Sequence, residues 1–215
     1  MSATQEKPSI LCMFSGGIDS TGALHHLLTE EKFADCKLFV HHIHIHNREN
    51  RAKAEAKAVK HILQYYKKNV SRNFVFTEST FNSTGFGPLK ATRFPYDADV
   101  IAFYAANIAT ARKDIGQVVV GRTKTDVESG GNYSSRMRRR QEIFDAVWLL
   151  EKDTKPEFFY PILELTKEEV WYSLPEAVRN WTWWCRTPVY KNEIAKPCGR
   201  CGTCMQVKTF IDGSN

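Results

Sequence analysis

The stretch ILCMFSGGIDSTGALHHLL, from Ile10 to Leu28, limits the possible folds more than any other part of the chain. An apolar run stops abruptly at Ser15-Gly16-Gly17-Ile18-Asp19-Ser20-Thr21, and an amphipathic run with Ala23, Leu24, Leu27 and Leu28 on one face follows. A short apolar run closed by a glycine turn reads as a buried parallel strand, and the run after it as a helix. Glycines let the backbone turn sharply and present its N–H groups. The helix start adds unpaired N–H groups and the positive end of a dipole, and together these form an anion site. Ser15, Ser20 and Thr21 add hydroxyl donors, so the bend is suited to phosphate.

The rest of the chain alternates in the same way. Ser9 to Phe14 is the first strand, and Lys37 to His46 the second, where Leu38 and Val40 alternate with Phe39, His41, Ile43 and Ile45. Arg51 to Lys68 repeats apolar residues every three or four positions (Ala52, Ala56, Val59, Leu63, Tyr66), which is a helix. Asn73 to Thr77 is a third strand, and a long loop with Gly85, Gly87, Pro88 and Pro95 runs from Glu78 to Tyr96. Asp97 to Arg112 is helix, Gln117 to Gly121 a fourth strand, Arg122 to Ser135 a polar loop, Met137 to Leu150 helix, and Phe158 to Leu163 a fifth strand. Thr166 to Glu169 is a capping box that opens a short helix. Strands alternating with helices predict a doubly wound α/β fold with a parallel five-stranded sheet, covered on both faces. Ligands of such sheets sit beyond the carboxyl ends of the strands. The loops after Phe14, Thr77 and Gly121 should therefore converge on one cleft. The expected division is an α/β domain over residues 1–165 and a helical, cysteine-bearing region over 166–215.

Asp19 is at first sight wrong for a phosphate site, because carboxylate repels phosphate. A Mg²⁺ ion between the two resolves the conflict. A Walker loop would carry Gly-Lys-Ser/Thr after four free positions, and no such lysine stands here.

Four of the six cysteines crowd into Cys185, Cys198, Cys201 and Cys204, with spacing C-x12-C-x2-C-x2-C. Four thiolates so close in sequence suit a closed tetrahedral Zn²⁺ site, with an iron–sulfur cluster as the competing occupant. Such a site would be structural, folding a tail too small to hold itself. Cys12 and Cys36 stand alone and read as small core residues.

No apolar run approaches the roughly 20 residues that span a bilayer, and the opening MSATQEKPS lacks a signal-peptide core. A cytoplasmic protein without a membrane partner is the expectation. The net charge of +6 favours anionic ligands. Arg136, Arg138, Arg139 and Arg140 read as a solvated helix face rather than a specific anion site, and nucleic acid is a possible but not the favoured partner. His42, His44 and His46 share a strand face and read as packing or cleft-edge residues rather than a second metal site. Trp181, Trp183 and Trp184 read as packing around the cysteine tail.

SGGxDS(T) after the first strand resembles the signature of the PP-loop family, the ATP pyrophosphatases. Joined to WWCRTPVYKNEIAKPCGRCGTC, it resembles that family's 7-cyano-7-deazaguanine synthase branch. NRAKAEAKAV, with Arg51 and Glu55, and GRTKTDVESGG after the fourth strand extend the resemblance. It implies that Phe14, Ser15, Gly16, Gly17, Asp19, Ser20, Thr21 and Gly121 hold ATP and that Asp19 and Asp126 are catalytic. It also implies an ATP- and Mg²⁺-dependent ligase that joins 7-carboxy-7-deazaguanine to ammonia, passes through an acyl adenylate and an amide, and ends at the nitrile. A homodimer is a further implication.

Arg93, Arg122 and Arg136 are the candidates to hold the substrate carboxylate, since a guanidinium pairs with two oxygens, and the resemblance adds Arg51 as a further substrate-binding candidate. Two stretches depart from the family pattern, Arg93 to Asp99 and Gly131 to Arg136, and both are expected on the substrate side. The alternatives are an enzyme that stops at the amide, one that acts on another substrate such as tRNA, or a non-catalytic nucleotide-binding zinc module. Asp97 and Asp99 read as a helix cap and a first-turn charge.

Overall fold

The computed structural model of the chain describes residues 9–89, 96–128, 133–148 and 154–211. Five parallel strands make one sheet: β1 (Ser9–Met13), β2 (Leu38–His46), β3 (Val75–Asn82), β4 (Ile115–Val120) and β5 (Glu157–Phe159), in the order β3-β2-β1-β4-β5. Helices α1 (Ile18–Thr29), α2 (Ala52–Asn69), α3 (Asp97–Ala111), α4 (Lys124–Glu128) and α5 (Tyr133–Val147) connect them. After β5 come α6 (Lys167–Ser173), α7 (Glu176–Arg179), a hairpin of β6 (Val189–Lys191) and β7 (Ile194–Lys196), and α8 (Gly202–Ile211).

Strand alternation sorts β1 into two cores. Ile10 and Cys12 pack with Leu24 and Leu27 of α1, Val59 and Ile62 of α2, and Val170 of α6. Leu11 and Met13 face Ala105, Ala106 and Ala109 of α3 and Phe144 of α5. The expected doubly wound sheet, covered on both faces, is therefore present. Its strand order reverses between β1 and β4, where successive connections leave in opposite directions and open a crevice.

Three local expectations are corrected. β3 runs on to Asn82, into residues read as loop, because the register with β2 continues through His46↔Asn82. The strand expected over 158–163 is only Glu157–Phe159, since Tyr160 to Leu165 turns back in two short hydrogen-bonded bends. The arginine cluster is not wholly solvated. Arg138 is exposed beside Glu142, but Arg140 is buried, with Nη1 donating to Tyr160 Oη at 3.2 Å.

Candidate active site

The loop between β1 and α1 folds on itself. Gly16 takes φ +74°, a left-handed conformation that disfavours any side chain. Ser15 and Ser20 hydroxyls lie 3.0 Å apart, and Ser20 Oγ also accepts from Ser15 N at 3.2 Å. Gly17 is the N-cap of α1 and supplies no side-chain cap, so the first N–H groups of α1 face the crevice without a capping acceptor. From the other side of the reversal, Gly121 closes against the loop. A Cβ there would lie 2.3 Å from the carbonyl carbon of Asp19, so no larger residue fits.

Asp19 is the centre of a charge cluster. Lys167 Nζ lies 3.0 Å from Asp19 Oδ2 and 3.4 Å from Asp126 Oδ1. Burial pushes the Asp19 carboxyl up and the Asp126 charge adds to this, while Lys167 and Arg122 pull it back down. Burial opposes the Lys167 charge, but the two carboxylates outweigh it and hold the ammonium above its ordinary value. Asp19 Oδ1 is buried without a hydrogen-bond partner, which leaves one carboxylate oxygen open to a cation in the crevice. Asp126 also closes its own turn, since Oδ2 accepts from Thr123 N and Oγ1, both at 3.2 Å.

Lys167 was missed as a site residue, although the sequence carried a signal. It follows the capping residue Thr166, and the i, i+3, i+4 set Lys167, Val170 and Trp171 is the buried face of α6. A lysine on the apolar stripe of an amphipathic helix needs a buried partner.

The crevice has three joined compartments that share Asp19 and Asp97. The first is an apolar slot lined by His41, Ile43, Ile45, Ile101 and Val120. His41 is pinned by Thr77 Oγ1 at 2.8 Å and Ser79 Oγ at 2.9 Å. Strand parity puts these odd-numbered side chains in the slot. Of the even-numbered histidines, His42 is buried against the Phe14 carbonyl at 2.9 Å, and His44 lies 3.3 Å from Glu78. The second compartment holds Asp19, Asp126 and Lys167 and reaches Cys185 and Arg186. The third opens toward Arg122, Arg136, Arg139 and Arg186.

Arg51 lies under the slot, bound to three carboxylates: Glu49 at 2.8 Å, Glu55 at 2.9 Å, and Asp97. Asp97 is not the helix cap, because Tyr96 occupies the N-cap and Asp97 turns instead to Arg51 and Arg186. Asp99 does sit in the first turn of α3 and pairs with Arg139 at 2.8 Å. Arg93 lies outside the described residues, as do Gly131 and Asn132 of the second divergent stretch.

The thiol sulfurs of Cys185, Cys198, Cys201 and Cys204 all lie within 4.8 Å of one another. The Cys198 and Cys204 sulfurs are 4.0 Å apart, and backbone N–H groups of Cys198 and Cys201 donate to the sulfurs of Cys185 and Cys198. Such N–H donors support metal-bound thiolates. Among the described residues this is the one metal-competent group of histidines, cysteines and carboxylates. The cysteine segment is tied to the crevice. Trp183 N donates to Gly16 O at 2.9 Å, Arg186 bridges Glu49 (2.7 Å) and Asp97 (3.2 Å), and Tyr190 Oη donates to Asn50 O at 2.8 Å.

An uncapped helix start beneath a glycine bend at the sheet reversal, with a carboxylate and a buried lysine beside it, defines a PP-loop, ATP-using class of protein. Residues 9–211 match the family model described as Queuosine biosynthesis protein QueC. The chain belongs to that family, the 7-cyano-7-deazaguanine synthase family. Among solved structures it is similar to the U34-tRNA thiolase NcsA from Methanococcus maripaludis with its [4Fe-4S] cluster. The TM-score is 0.52 and the identity 15%, over 97% of this chain and 67% of that one, a likeness of fold. No curated protein sequence matches the chain. No helix among the described residues is long and apolar enough to cross a membrane.

Proposed function

We propose that the protein is an ATP-dependent ligase that converts 7-carboxy-7-deazaguanine and ammonia into 7-cyano-7-deazaguanine. The observation that carries this reading is the uncapped N-terminus of α1, which faces Asp19 and Lys167 inside a family of this chemistry. Adenine occupies the slot of His41, Ile43, Ile45 and Ile101. The triphosphate lies along Ser15 to Thr21, where main-chain N–H groups and Lys167 meet the charge that builds on departing pyrophosphate. Asp19 Oδ1 would hold Mg²⁺, which neutralises phosphate charge.

In this reading a substrate carboxylate oxygen attacks the α-phosphorus of ATP, and the bond to the bridging oxygen breaks with loss of pyrophosphate. Ammonia then attacks the acyl carbon, AMP leaves, and the nitrogen sheds a proton to give the amide. The amide oxygen attacks a second ATP, again with loss of pyrophosphate. Loss of two N–H protons and cleavage of the C–O bond release AMP and the nitrile. A carboxylate cannot lose oxygen to ammonia directly, whereas an acyl adenylate can.

Arg122 and Arg136, at the mouth of the third compartment, are proposed to pair with the substrate carboxylate. Arg51, surrounded by carboxylates, is proposed to order the floor rather than to grip substrate. Asp126 positions Lys167. The four thiolates are proposed to hold Zn²⁺. A tetrahedral ion with Zn–S near 2.3 Å needs sulfurs about 3.8 Å apart, and the observed spacing suits a single ion better than an iron–sulfur cubane.

The test follows AMP and pyrophosphate with ATP, Mg²⁺, ammonium and the carboxylic acid. AMP formed only with the acid, and suppressed by Asp19→Asn, is expected. AMP that requires tRNA instead would replace this substrate, and tight ATP binding without turnover would make the protein a binding module.

A further inference from the structure

A second cavity, of about 440 Å³, lies between α2, the segment Arg179 to Trp184 and the β6–β7 hairpin. It is separated from the crevice by Trp183 and Trp184, which line both spaces. Its volume is that of a small-molecule site. Five aromatic residues wall it, among them Trp181 and Tyr190. Trp181 is 40% exposed, although His61 stacks on it at 3.6 Å with the rings 10° from parallel. A braced yet exposed indole departs from the packing role expected for the tryptophans, and it provides a rigid stacking surface.

The charge of the cavity is one-sided. Lys53, Lys57 and Arg179 line it against one carboxylate, Glu193. None of the three cations makes an ion pair with a described residue. Lys53 and Lys57 stand one turn apart on α2, and Lys57 Nζ lies 5.6 Å from the Trp181 ring centroid. An apolar ligand would leave these charges unused, and a bare anion would leave the aromatic walls unused. A planar ring that carries a phosphate uses both.

We propose that this cavity is a second nucleotide site, one that takes a free nucleoside monophosphate and is distinct from the ATP crevice. The ring stacks among Trp181 and its aromatic neighbours, and the phosphate meets Lys53 and Lys57.

The test is photolabelling of the full-length protein with 8-azido-AMP, with peptide mapping, in excess α,β-methylene-ATP and Mg²⁺. The expected result is label on the segment that holds Trp181 to Arg186, unaffected by the ATP analogue. Label there should fall about tenfold in Lys53→Glu/Lys57→Glu, whose circular dichroism and melting temperature should match those of the parent. Absence of label from that segment, or label indifferent to the charge reversal, overturns the proposal. A single-stranded RNA oligonucleotide that displaces the label far better than AMP at the same salt overturns the free-nucleotide reading in favour of a nucleic-acid surface. A failure of the ATP crevice shows separately, as absence of label on the slot segment His41 to Ile45 in a parallel reaction without the ATP analogue.

Discussion

Lys167 Nζ donates to Asp19 Oδ2 at 3.0 Å, which joins the first helix of the sheet to a helix nearly 150 positions later, |i−j| = 148. The lysine is only 6% exposed and lies between Asp19 and Asp126. Replacing it with methionine keeps much of the apolar stem and removes the charge. Loss of one preorganised cation at a charge-building centre predicts AMP formation slower by about 10²–10³-fold. Rapid-quench measurement of AMP, with ATP affinity measured in parallel, checks it; an unchanged rate would remove Lys167 from the machinery.

A prediction about pH rests on His42. Burial lowers its pKa to about 4 from its ordinary 6.5, against the pull of the Phe14 carbonyl. Because the carbonyl accepts, Nδ1 carries the proton, and the ring is neutral in the folded protein. A depressed folded-state value contributes stability that is present above pH 6.5 and lost as pH falls from there toward 4. The loss amounts to at most about 3 kcal/mol. His42→Asn, which keeps a donor but does not titrate, should flatten the acid limb of a melting-temperature profile between pH 4 and 7. An unchanged limb would show that other groups govern it.

Gly121→Ala tests the contact between the end of β4 and the nucleotide loop. The added methyl would fall 2.3 Å from main-chain carbon of Asp19, where no flexible side chain can yield. Overpacking of this kind costs about 1–3 kcal/mol or more. The urea midpoint should fall and ATP affinity should fall with it. A variant that bound ATP normally would mean that the loop can retreat at little cost.

Chelation tests the cysteine segment. Because Trp183 donates to Gly16 O and Arg186 pairs with Glu49 and Asp97, loosening of the thiolate cluster should reach the nucleotide loop. Removal of metal should weaken ATP binding by calorimetry and alter tryptophan fluorescence, and restored metal should reverse both. ATP affinity indifferent to metal would confine the cluster to its own tail.

Much of this was legible in the sequence because it depends on local pattern. The strand–bend–helix at Ile10 to Leu28, the α2 stripe, the Thr166–Glu169 capping box and the cysteine spacing are each set within about twenty residues. What escaped depends on distant partners. β3 continues to Asn82 only because β2 offers a matching edge, and Asp97 leaves its expected cap because Arg51 and Arg186 compete for it. Lys167 is turned inward by the packing of α6 against α1, two elements far apart in the chain. Trp181 stays exposed where its neighbours suggested packing, and the His61 ring that stacks on it comes from a helix more than a hundred positions earlier.

The main-chain bond from Trp183 to Gly16 also bears on the order of synthesis. The nucleotide bend leaves the ribosome well before the groups that back it, Trp183, Arg186 and the thiolate at Cys204, which all follow it in the chain. The nascent chain would therefore carry an unfinished grip on ATP until those later residues emerge and pack against the bend.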